Sequence, residues 1–559
     1  MPTVNLNVKD ICKLIGREIS IDKLAYVLPL IKCEVKSTET EEVSVEVNAD
    51  RPDMLSTEGI TRTLKGFIGL ETGCPSFHSK RGKIKVEVDK HLKNIRPFIA
   101  CAVIRNINLT EESLRQLLQI QEKLHETLCR KRRKASIGIY DLDKVKPPFT
   151  YTAAQPEEVK FTPLESMESM TATKILENTD KGREYGGIIK EFNRYPLLLD
   201  SGGTVLSMPP IINSENTKVT VDSQNLFLDV TSLSEYLAND AVSILAANFA
   251  ERGAKIEAVQ VLYPSRRVYT ALMKPKKMYL ETEYANKVSG LRLSAKAICA
   301  LAGKMRYDAR VAKKDRIEIN IPPYRCDILH PIDLIEDIII GYGYDRIKPE
   351  VPLIPTFGKK LEKTNFIERM RDIMIGYGFQ EILNYVLTSK ELQTSMMKVE
   401  DSDLIEIANP MTSEYTVLRK WLLPGILNFL TFNTHVENPQ KIFECGETVI
   451  LDSEAHTKTR SEIRLAGAVS DYSVSYETIQ SIVYGVLQNL KINAYKTFKR
   501  DHESFMKGRT ASIIMHQHEI AILGEINPEI LTKFKLPNPV VAFEINLTPI
   551  FRRQNSPSD

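Results

Sequence analysis

The sequence predicts an α+β multidomain protein, and three observations carry that prediction. Its 559 residues suffice for about three to five domains. Period-two apolar runs such as EEVSVEVNA and FIACAVIRNI alternate with helical faces along the chain. Composition is that of ordinary globular protein, with 43% hydrophobic, 26% charged and 7% aromatic residues, which excludes a disordered, collagen-like or coiled-coil chain.

Four segments follow in order. Residues 1–80 open with a strand from Thr3 to Val8 and a helix from Asp10 to Ile15. A second helix begins after Ser56, whose hydroxyl suits an N-cap, and carries Ile60, Leu64 and Ile68 on one face before Gly69. GCPSFHSKRGK (73–83) reads as a basic Gly/Pro/Ser linker. Residues 84–266 hold the strands KIKVEV, FIACAVIRNI and SIGIYDL. An amphipathic helix lies between 110 and 129, with Leu114, Leu117, Leu124 and Leu128 on its apolar face. YPLLLD-SGG-TVLSMPP is a β-hairpin signal. Residues 272–350 form a small α/β module with a helix from Ser294 to Met305, the strand RIEINIP and a helix from Pro331 to the glycines of GYGY. Residues 354–559 start with a helix near Phe366 to Ile375 and continue with strands such as KIFECGETVIL, IRLAGAVS, EIAILGEI and VVAFEI; the tail RRQNSPSD reads as frayed.

Several function classes are excluded. The net charge of +3, from 75 basic and 72 acidic residues, does not announce nucleic-acid binding. There is no P-loop, Rossmann or G-x-S-x-G motif, and no H-E-x-x-H among the nine histidines. Eight scattered cysteines without a C-x-x-C pair fit reduced thiols in a cytoplasmic chain. No apolar run reaches membrane-spanning length and no signal-peptide core opens the chain, so no membrane is expected.

The most specific constellation is RCDILHPIDLIEDIIIGYGYDRI (325–347). At about 100° per residue, Asp333, Glu336 and Asp337 share one helical face opposite Leu334, Ile335, Ile338 and Ile339. Asp327 sits just before the helix. Such carboxylates need water, Arg/Lys or a cation as compensation. Their oxygen-only character suits Mg²⁺, while a solvated acidic face near a helix N-terminus is the bland alternative.

D-x5-D-x2-E-D followed by x3-G-Y-G-Y-D resembles the signature of the phenylalanyl-tRNA synthetase β subunit. MPTV, NADRPDMLSTEGI (48–60), QEKLHETLCRKRRKASIGIYD (121–141), LLLDSGGTVLSMPPIINSENTKV (197–219), ANPMTSEYTVLRKWLLPGIL (408–427) and FECGE (443–447) are similar to the archaeal and eukaryotic cytosolic form. The resemblance implies Mg²⁺ at Asp327, Asp333, Glu336 and Asp337. It implies an α₂β₂ heterotetramer with an α subunit, tRNA(Phe) as a partner, and ATP used by the complex. It gives 84–266 as an editing module of mixed α/β, 272–350 as a helix-turn-helix-like α/β module, and 354–559 as a class II synthetase-like antiparallel sheet domain. That last fold's chemistry needs arginine forks on ATP, yet KIFECGE carries acids and LGEINPEIL has no Arg. Arg419 and Arg509 are candidates for a remnant, and the synthetic site is expected in the α subunit.

In LFLDVT (226–231) the period of two puts Phe227, Asp229 and Thr231 on one face, with Leu226, Leu228 and Val230 on the core face. The expectation is that Asp229 and Thr231 stand on a cleft wall with Leu198, Ser207, Asn213 and Glu215. The resemblance implies removal of tyrosine mistakenly attached to tRNA(Phe), with Glu215 reading the phenol and the others placing water and ribose. The alternative class is a non-enzymatic tRNA-binding or assembly scaffold. RKRRK (130–134) is read either as a tRNA phosphate contact or, preferentially, as a solvated helix-end complement. Trp421 is expected in a core or subunit interface.

Overall fold

The computed structural model describes residues 2–77, 79–313, 315–400 and 403–555. The chain divides into two compact units, residues 1–351 and 352–559. Among the described residues no helix is long and apolar enough to cross a membrane, and the cysteines are all free.

Among the described residues the first unit holds three larger sheets and a two-stranded one, Lys160–Phe161 with Met170–Thr171. At its start, Thr3–Asn7, Glu42–Val47 and Cys33–Thr38 form an antiparallel sheet in that spatial order. The helix Thr57–Phe67 packs nearby, and its N-cap Ser56 Oγ accepts the Gly59 N–H at 3.0 Å and the Asn248 amide at 3.0 Å. Removing that hydroxyl by Ser56→Ala is expected to cost about 1 kcal/mol or more, read as a lowered urea midpoint.

The large central sheet runs Ile212–Asn213, Val205–Met208, Tyr195–Leu199, Phe149–Ala154, Ser79–Val88, Lys255–Tyr263, Phe98–Arg105, Leu226–Ser232 and Ala135–Asp141; Arg266–Thr270 pairs with Lys255–Tyr263. The pairings of Ser79–Val88 with both neighbours are parallel, the others antiparallel. Residues 79–83, expected as linker, are therefore strand, and His78 lies outside the described residues. Their polar side chains gave no apolar alternation because that end is held by ladder bonds rather than by burial.

Both faces of this sheet are covered. Leu226, Leu228 and Val230 pack in one core with the helix Glu235–Glu251, as the alternation predicted. Phe227 packs in a second core with Tyr140, Phe149, Tyr151 and Leu198. All seven residues of Leu226–Ser232 are buried.

The third sheet orders Lys276–Glu281, Arg316–Ile321 and Asp308–Lys313. The helices Ala295–Lys304 and Pro331–Tyr342 belong to the same module, the latter opened by Pro331 at its first turn.

The second unit is built on a seven-stranded sheet, Gln380–Glu381, Gln440–Leu451, Thr459–Ser470, Val540–Asn546, His518–Ile526, Phe505–Met515 and Lys496–Lys499, beside the short pair Leu387–Thr388 and Val417–Leu418. It is antiparallel except for the short first strand, which pairs parallel. One face buries Phe443, Leu465, Phe543 and Ile545 with the helices Glu362–Gly376 and Tyr476–Asn489; the other buries Ile442, Ala466 and Ala542 with the helix Leu423–Phe432. Residues 552–555 of the expected frayed tail complete the helix Thr548–Asn555; residues 556–559, like Met1 of MPTV, lie outside the described residues.

Candidate functional site

A cavity of about 350 Å³ opens in the first unit between the central sheet and the helix Glu111–Glu126. Leu114, Leu117, Ile137, Ile139 and Ile211 give it apolar walls. Among its polar lining groups are Asp229, Ser207 and Tyr140, all buried. Antiparallel register sets Asp229 opposite Gly138 on the next strand, two residues from Tyr140 on the same face. The Tyr140 phenol donates to Asp229 Oδ1 at 2.5 Å and lies 2.7 Å from Ser207 Oγ. A Cβ at Gly138 would overlap both Tyr140 Oη and Asp229 Oδ1, so only glycine leaves room for this pair. Burial raises the Asp229 carboxyl to about 7, against the opposing effects of the Tyr140 hydrogen bond and the Arg96 charge.

Asn213 also lines the cavity, half-buried, its amide 3.4 Å from the Ile139 carbonyl. The other expected residues do not line it. Leu198 is fully buried in the core behind, paired with Ser207 in register. Thr231 is fully buried as well; its hydroxyl accepts from Arg96 Nε at 3.0 Å and lies 2.9 Å from Ser136 Oγ, a residue of the cavity wall. These positions correct the cleft-wall expectation, because the second face of the sheet is covered by protein rather than open. Glu215 starts a short 3₁₀ turn outside the wall, where Oε2 accepts the Glu165 N–H at 2.7 Å and Oε1 the Lys218 ammonium at 3.3 Å. The Glu165 hydrogen bond, then Lys218, hold its carboxyl below the usual range.

Arg132, from the RKRRK run, is buried, contrary to the expected solvated face. It donates to the Ile211 carbonyl at 2.9 Å and to Glu122 Oε1 at 2.9 Å, and its guanidinium lies over the Tyr185 ring at 4.5 Å. One side chain thus ties the helix Glu111–Glu126 to the Ile211 segment and to Tyr185. Tyr140 and Arg96 were not singled out from sequence; the alternation Ser136, Gly138, Tyr140 in SIGIYDL was the available signal for the first.

The four candidate carboxylates, Asp327, Asp333, Glu336 and Asp337, each have protein donors. Arg325 grips Asp327 at 2.9 and 2.7 Å and reaches Asp337 Oδ2 at 2.7 Å. Asp333 accepts the Leu329 and His330 N–H groups, both at 2.8 Å, as the helix cap. Glu336 pairs with Lys32 at 2.7 Å. Among the described residues no three His, Cys, Asp or Glu side chains are grouped to hold a metal ion. Octahedral Mg²⁺ demands converging oxygens at about 2.0–2.1 Å, and this donor set does not fit it.

The second unit has a cavity of about 670 Å³ bordered by Tyr385, Trp421, Asn428 and Arg419. Trp421 therefore lies on a cavity wall, half-buried. Arg419 is buried and committed to Glu444 Oε1 at 2.6 Å, the Glu447 carbonyl at 2.8 Å and the Asn384 carbonyl at 3.2 Å. Arg509 is paired elsewhere, with Glu525 at 2.9 Å. A second group, half-buried Arg464 with the buried Glu544 at 3.0 Å and Glu462 at 2.9 Å, continues along the same sheet face.

Three family profiles match in order: a B3/4 domain over residues 95–262, a tRNA synthetase B5 domain over 278–344 and a phenylalanyl tRNA synthetase beta chain CLM domain over 347–547. Together with the sheets described above, they define a chain of the aminoacyl-tRNA synthetase class. The phenylalanine–tRNA ligase beta subunits of Pyrococcus furiosus and Pyrococcus horikoshii are each 40% identical over 558 residues, spanning 99% of this chain and 100% of the relative. A crystal structure of an N-terminal fragment of the Pyrococcus horikoshii β subunit superposes with a TM-score of 0.59 at 40% identity, covering 61% of this chain and 99% of the fragment. The chain belongs to the phenylalanine–tRNA ligase beta subunit family, in its archaeal type.

Proposed function

We propose that this chain works in the cytoplasm in an α₂β₂ ligase with tRNA(Phe), and that its 350 Å³ cavity hydrolyses tyrosine mistakenly esterified to that tRNA. The observation carrying this reading is the buried Asp229–Tyr140–Ser207 group at the end of an apolar cavity. Apolar walls accept an aromatic ring, and the carboxyl accepts the phenolic hydroxyl. Phenylalanine would bring no donor to the carboxyl beyond the Tyr140 bond it already accepts, so only the tyrosyl ester gains a hydrogen bond there. The ester would then lie nearer Asn213, where water adds to the carbonyl and the ribose oxygen leaves with a proton. No serine or cysteine nucleophile with a histidine partner is needed for that step.

Glu215 acts as a staple for the Glu165 loop rather than as the phenol reader. Glu215→Ala is expected to slow tyrosyl release only a few-fold, measured by deacylation of tyrosyl-tRNA(Phe).

Amino-acid activation with ATP falls to the partner subunit. Arg419, the best-placed arginine for a phosphate, is already neutralised by Glu444. The test is direct: purified complex should hydrolyse tyrosyl-tRNA(Phe) much faster than phenylalanyl-tRNA(Phe). Hydrolysis no faster than the uncatalysed rate would leave the scaffold reading in its place. ATP–pyrophosphate exchange by the isolated chain would overturn the assignment of activation to the partner.

A further inference from the structure

Two arginine forks of the same local form face each other in the first unit. In Arg51-x-Asp53, the guanidinium holds its own neighbour's carboxylate at 2.8 and 2.9 Å. In Arg325-x-Asp327 the same bidentate grip measures 2.9 and 2.7 Å. Asp337, from the helix Pro331–Tyr342, sits between them: Arg325 Nη2 is 2.7 Å from Oδ2, Arg51 Nη1 is 4.0 Å from Oδ1, and the Tyr307 phenol donates to Oδ2. Arg51, Asp53, Arg325 and Asp337 are all buried. At the preceding residue of the same helix, the Lys32 ammonium bridges Asp50 at 2.6 Å and Glu336 at 2.7 Å.

Arg51, Asp53, Asp50 and Lys32 come from the first 72 residues; the remaining groups come from the module holding the carboxylate helix. We infer that the carboxylates Asp327, Glu336 and Asp337 form, with Arg51, Arg325 and Lys32, an ion-pair clamp that fastens the N-terminal module to that helix, in place of a magnesium site.

The fourth carboxylate, Asp333, has a separate role, since both of its hydrogen bonds go to backbone amides of its own helix start. A divalent cation bound by all four would have to strip Asp327 and Asp337 from a guanidinium already in contact with both, and would then sit beside that fixed positive charge. Planar forks suit carboxylates in such buried settings better than a metal that keeps its waters.

The full chain, stripped with a chelator, provides the test, with Mn²⁺ as the paramagnetic probe. The expected result is that thermal unfolding is unchanged by chelator or added Mg²⁺. Any Mn²⁺ that binds should be retained equally by Glu336→Gln and Asp327→Asn. Lys32→Glu should lower the unfolding temperature, and the swap Lys32→Glu with Glu336→Lys should recover part of it. This pair is partly exposed, so the variants test the clamp even where Arg325→Met fails to fold. One equivalent of Mn²⁺ that disappears in Glu336→Gln, with stabilisation by Mg²⁺ in the wild type, would overturn the inference, as would a swap no more stable than the single variant.

Discussion

Asp229→Ala is expected to slow hydrolysis of tyrosyl-tRNA(Phe) on the order of 100-fold while leaving phenylalanylation by the complex intact. The size follows from losing a hydrogen bond to a charged acceptor inside an apolar cavity, about 1.5–3 kcal/mol. Selectivity for the tyrosyl over the phenylalanyl ester should fall with it, because the group removed contacts only the hydroxyl. A parallel loss on both esters would instead place Asp229 at the ester bond.

The same residue sets a pH dependence. Burial raises its carboxyl to about 7, so the strongly accepting ionised form appears only as pH climbs through that value. Tyrosyl release should rise through a midpoint near 7, and phenylalanyl release should not follow. Tyr140→Phe removes a donor that favours the ionised carboxylate, so its midpoint should move up. Stability runs the other way. The unfolded carboxyl ionises near pH 4 whereas the folded one keeps its proton to about 7. The stabilising contribution is therefore complete below the unfolded value and is lost as pH rises through the folded one. Asp229→Asn should flatten that decline, as urea unfolding at about pH 5 and about pH 8 would reveal.

Arg419→Met is expected to destabilise the second unit by about 3–5 kcal/mol, because Glu444 would keep a buried charge without its partner. Denaturant unfolding of the full chain would register this as an early loss of the 352–559 unit. Glu444→Gln combined with Arg419→Met should recover much of the loss, since no uncompensated charge then remains. Phenylalanine activation by the assembled complex should be unchanged per folded molecule. A specific fall in activation with normal unfolding would make Arg419 a working phosphate ligand instead.

Local chemistry was legible because it depends on neighbours in sequence. The Ser56 cap, the Pro331 helix start and the inward Leu226, Leu228 and Val230 all follow from short-range spacing, and the structure has each of them. Period two also placed Asp229 on the face away from that core. It did not reveal that Thr231 and Leu198 would be sealed beneath the cavity, because covering the second face takes strands from elsewhere in the chain.

What the sequence determined by itself was the family and the inward parity of Leu226, Leu228 and Val230, since motifs and periodicity survive without tertiary context. Only the tertiary structure decided which charges meet. Helix geometry predicted an acidic face at Asp333, Glu336 and Asp337, but Asp333 caps its own helix, and the compensation of Glu336 and Asp337 came from Lys32, Arg51 and Arg325, set by folding rather than by helical spacing. Charge interactions act through space and depend steeply on distance and burial, so their pairings are set where chain segments pack, not where they lie along the chain.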